Sequence, residues 1–202
     1  MSNAKAGAIA LIAGSIASIM LMLVHPLHVG PELVGAVTLN GLMHGTALIA
    51  TPVLVFGFFA MWRVLSIDRA QIGIGFSFYA FGSVAIVSAA TVDRLVAPYL
   101  VDAQQGMDAA AVAQIAPLGR LAHWLNQGFA HVYTGLVAVA LMLWSAGWPA
   151  RGAGGQALRA WGVIVGADVL YSQLFGGLVR NVHGMGAVRY CSRAGPSSSR
   201  WR

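Results

Sequence analysis

With 58% hydrophobic and only 9% charged residues, this chain of 202 residues cannot build a water-facing surface, because soluble domains carry about 25% charged residues. The formal charge of +6 is concentrated at the C-terminus, where Arg189, Arg193, Arg200 and Arg202 lie, and no basic helix face or aromatic-interleaved patch occurs elsewhere. Nucleic acid is therefore excluded as a partner, and a lipid bilayer is implied. The single cysteine, Cys191, excludes a disulfide framework.

Five apolar stretches follow in order: Ala6–Val24, Leu39–Leu65, Ile72–Val92, Trp124–Trp148 and Ala160–Leu178. A hydrocarbon core about 30 Å thick is crossed by roughly 20 helical residues, and backbone groups that find no water there must bond within a helix. The predicted fold class is all-α, a polytopic transmembrane helix bundle forming one domain over residues 1–188, with five spans and a truncated sixth. The first stretch exceeds the apolar core of a secretory signal and runs into Val24-His25-Pro26-Leu27, a poor cleavage context. Pro52 predicts a kink in the second span. Gly7, Gly14, Ser18, Gly73, Gly75 and Gly82 predict close helix contacts. Trp62, Trp124, Trp144, Trp148 and Trp161 fall near span ends and read as an interfacial belt.

The longest connection runs from Asp93 to His123. Asp93-Arg94 at its start reads as an interfacial charged pair. Asp108 is placed to cap a short helix through Pro117, with Met107, Ala111, Val112, Ile115 and Leu118 at near-helical spacing. A separate helix lying on the outer leaflet is the expectation.

The fifth span carries Asp168, a carboxylate that costs ~2.5–3.5 kcal/mol at a bilayer centre. Tyr171 and Ser172, at i+3 and i+4, are spaced to donate hydrogen bonds to it. Two roles stay open: a proton or cation relay coupled outward through Gln173 and a histidine, or a protonated carboxyl joining helices. Beyond it, Val182-His183-Gly184-Met185-Gly186-Ala187-Val188 reads as the start of another span, whereas 189–202 is polar, basic and unable to cross. A frameshift after Val188 and a native disordered tail both account for that change.

A Lys/Arg bias sets orientation. Lys5, Arg63, Arg69, Arg151 and Arg159 fall on one side and Arg94, Arg120 and Arg180 on the other, which predicts a cytoplasmic N-terminus. The same span count puts all six histidines (His25, His28, His44, His123, His131 and His183) on the outer side. Gly41-Leu42-Met43-His44 and Gly128-Phe129-Ala130-His131 share a Gly-x-x-His start, a faint internal repeat of a kind found in transporters. Facing imidazoles at His44 and His131, with His123 and His183 nearby, have the chemistry to ligate haem or a transition metal. No His-Glu-x-x-His motif is present, so no cofactor is predicted and the metal or haem site stands as the alternative.

Asn126-Gln127-Gly128-Phe129-Ala130-His131-Val132-Tyr133, the Trp144-Ser145 ending and Val182–Val188 resemble segments of uncharacterised six-helix bacterial integral membrane proteins. The resemblance implies six spans in an intact chain and ends at Arg189; it supplies no catalytic residues. The expected function is that of a non-enzymatic multi-pass protein, a small transporter-like or accessory subunit. A homo-oligomer or a membrane partner is compatible with it, and a redox protein using the outer histidines is the alternative.

Overall fold

The computed structural model of the protein describes residues 2–24, 34–65 and 69–175. His25, His28 and His183, the expected sixth span and the tail 189–202 lie outside the described residues. The described chain is helical throughout: α1 (Asn3–Val24), α2 (Val34–Leu65), α3 (Ala70–Thr91), α4 (Ala97–Ala103), α5 (Ala109–Gly147) and α6 (Gly152–Leu174). A π-helical segment, Val92–Val96, joins α3 to α4 without interruption.

Four stretches are long and apolar enough to cross a membrane: Asn3–Leu21, Gly41–Leu65, Ala70–Ala103 and Ala109–Gly147. The expected fifth span is helical through Leu174, but α6 is not among these four. Five glycines, Gln156, Arg159, Asp168 and Gln173 dilute its apolar content.

One helix is much longer than predicted. The 39 residues of α5, at 1.5 Å each, make a rod of about 58 Å, nearly twice the hydrocarbon thickness. Asp108 does cap it, its Oδ1 accepting the Ala111 N–H at 2.8 Å. The expected separate surface helix is nevertheless wrong, because Pro117 lies inside α5 and does not end it. A proline in a helix removes one backbone bond and crowds the carbonyl four residues back, and α5 absorbs both. The turn between α4 and α5 passes through Gly106, whose φ of 79° falls where side chains with a Cβ are disfavoured.

Helices pack largely in chain order, with the main interfaces between α1 and α2, α2 and α3, α3 and α5, and α5 and α6. Small residues set the spacing. A Cβ on Gly14 would lie 2.6 Å from Leu54, and one on Gly75 would lie 2.7 Å from the Trp144 indole. Gly7 meets Ala60 in the same manner, as Gly162 meets Ser145.

The centre of this layer is aromatic. Phe58 stacks on Trp144 with centroids 4.5 Å apart, and Tyr79 tilts against Phe58 at 4.3 Å. The Trp144 indole donates to the Ile72 carbonyl at 3.2 Å, which the absence of a side chain at Gly75 permits. Trp144 is thus a core residue and not part of a belt; Trp62 likewise stacks on Phe76 at 5.4 Å. Trp124 and Trp161 remain exposed, as a belt requires. At the same end as Trp62, Arg69 donates to the Gly147 carbonyl at 2.7 Å, placing a cation at the C-terminus of α5.

Candidate functional site

The polar chemistry gathers at the opposite end, where the π-helical segment meets α2 and α5. The cause of the wide turn is local. Pro98 follows it, and a proline ring clashes with the carbonyl four residues back, here Arg94. The Ala97 N–H bonds to the Val92 carbonyl instead, one residue beyond the α-helical partner. Single-turn π segments of this kind recur at functional sites.

Asp93 sits in this segment, half-buried. Its Oδ2 lies 3.1 Å from His44 Nε2 on α2 and also accepts from the Asn126 amide on α5. One carboxylate oxygen therefore joins three elements. An imidazole beside a carboxylate is a pair between which one proton can be shared. Once His44 is charged, the contact becomes an ion pair, with the Asn126 donor still in place.

Arg94 does not pair with Asp93. It turns to α2, where a Cβ on Gly41 would lie 3.5 Å from its Cζ and one on Gly45 3.7 Å from its Nε. The expected interfacial Asp93–Arg94 pair is therefore replaced by two divergent side chains. The guanidinium thus lies along α2 at ordinary van der Waals distance from both glycine positions. The second half of the supposed repeat differs, because a Cβ on Gly128 would meet nothing within 4 Å.

His44, His123 and His131 share one end of the helical layer, as expected, but with different surroundings. His123 is exposed, its ring edge-on to Trp124 at 5.8 Å. His131 is half-buried, and its carbonyl accepts from Gln173 Nε2 at 3.2 Å. Among the described residues, no three His, Cys, Asp or Glu side chains converge on a position for a metal ion.

The candidates on α6 divide between two faces. Gly162, Gly166 and Gln173 touch α5. Asp168 lies two residues past Gly166, roughly 200° around the helix, and so points away from α5. Asp168 and Ser172 are half-buried. Tyr171 is exposed, with its ring 4.7 Å from Phe175. Gln173 thus links α6 to the His131 turn from the opposite side of the helix to Asp168.

Sequence reasoning missed Asn126 and misassigned Asp93. The one available signal was Pro98 just after an acid at a span end, which marks a broken helix beside a polar group. Comparison with family models, with curated proteins and with solved structures finds no match for this chain.

Proposed function

We propose that this chain is a multi-pass protein of a bacterial inner membrane, N-terminus inside, acting as a small transporter-like or accessory subunit with His44, Asp93 and Asn126 as its working polar centre. The observation that carries the proposal is the sharing of one Asp93 oxygen by an imidazole and an amide from two other helices, at a π-helical break. Ionisable groups in spanning segments are costly and characteristically mark ion or proton pathways. Orientation is supported by the position of Arg63, Arg69, Arg151 and Arg159, all at or near the helix ends opposite His44.

The test is proton flux into proteoliposomes loaded with a pH-sensitive dye, under an imposed membrane potential. The wild-type protein should conduct above protein-free vesicles, and Asp93→Asn and His44→Ala should each lower the flux about a hundredfold or more, the scale of a lost acid–base group. Flux in the wild type no greater than in empty vesicles rejects the proton role.

A further inference from the structure

On α5, beyond the polar centre, an open groove of about 620 Å³ lies between the end of α4 and the first turns of α5. Gln104 closes it on the α4 side, and Val112, Gly119, Arg120, His123 and Trp124 line it from α5. The stretch of α5 from Trp124 to Gly147 already covers the hydrocarbon thickness, since its 24 helical residues extend about 36 Å against about 30 Å. With Trp124 at the slab boundary, where an amphipathic indole is favoured, Arg120 and His123 fall about one turn outside it, at the level of phospholipid headgroups.

We propose that this groove binds the phosphate of an anionic phospholipid headgroup. Arg120 is exposed and forms no ion pair within the described residues. The carboxylates that flank the α4–α5 turn each accept a local hydrogen bond, Asp102 from Gln105 and Asp108 from the Ala111 amide, and neither pairs with Arg120. A guanidinium matches phosphate oxygens with two parallel donors. His123, three residues on, adds a donor on the same side of the helix, and Gln104 faces them from α4. Exposed Trp124 is the amphipathic ring that favours the headgroup boundary. Gly119 leaves the floor open, with nothing within 4 Å of where its Cβ would be. The inference needs only that α5 crosses a bilayer, so it stands apart from the proton role of His44 and Asp93.

Native mass spectrometry of the detergent-purified full chain, given equimolar phosphatidylglycerol and phosphatidylcholine, tests it. The wild type should retain phosphatidylglycerol about fivefold over phosphatidylcholine, the scale of one basic residue at an anionic surface. Arg120→Gln, with an unchanged circular dichroism spectrum, should bring the ratio to near unity. Gly119→Leu should do the same by filling the groove while leaving Arg120 in place. Equal retention of the two lipids by the wild type overturns the proposal. So does displacement of phosphatidylglycerol by millimolar inorganic phosphate, which would make this a site for free anions. If another part of the chain fills the groove, Gly119→Leu lowers thermal stability with lipid selectivity unchanged, which also overturns it.

Discussion

Asp93 holds two donors on one oxygen, so the three side chains of the polar centre should lose stability as a unit. His44→Ala should cost about 1–3 kcal/mol, because it leaves a half-buried carboxylate short of a donor. Asn126→Ala should cost a similar amount for the same reason. The double variant should cost less than the two together, with a coupling of roughly 0.5–3 kcal/mol. Detergent unfolding curves of the two single variants and the double would show it, and strict additivity would mean that the groups act separately. Of this centre, His44 was legible in the sequence as a polar residue near a span end. Its partner was not, because apolar patterning fixes which residues cross a membrane but not the rotation of each helix about its axis. Adjacent helical residues point about 100° apart, so Asp93 and Arg94 were poor candidates for each other from the outset. Asn126, 33 positions away from Asp93, offers no charge to flag it.

At the level of elements, close packing at small residues governs which helices touch. Gly166→Leu should destabilise the α5–α6 contact by about 1–3 kcal/mol, the usual range for overpacking, since a Cβ there would already lie 2.5 Å from Met142 and 2.8 Å from the Ala138 carbonyl. Thermal unfolding in detergent measures it; an unchanged midpoint would show that α6 does not depend on this contact. Trp144→Phe should preserve the ring stack on Phe58 and lose the bond to the Ile72 carbonyl, for about 1 kcal/mol. The close contacts at Gly7, Gly14, Gly73, Gly75 and Gly82 were legible because small residues have no other evident use in a span. Trp144 was misjudged from its place near the end of an apolar run. The Arg69–Gly147 bond and the start of α3 at Ala70 keep that level of the layer packed. The length of α5 escaped notice because Pro117 reads as a terminator, although Asp108 and its cap were correctly placed.

For the whole molecule, composition made the membrane class plain, whereas the 39-residue length of α5, well over a bilayer's hydrocarbon thickness, required the structure. With Cys191 replaced by serine, a cysteine at Gln105 should react with a membrane-impermeant maleimide from outside the cell. One at Gly154 should react only after the inner face is opened. Labelling of both positions from the same side would rule out the crossing of α5. The serial packing of α1 on α2, α2 on α3, α3 on α5 and α5 on α6 has a consequence for biogenesis. Each spanning helix released into lipid during synthesis finds a packing partner already inserted, although α3 waits for α5 to complete its largest interface. The polar groups of His44, Asp93 and Asn126 then meet in that same order, so Asp93 enters the bilayer with His44 waiting and Asn126 still to come.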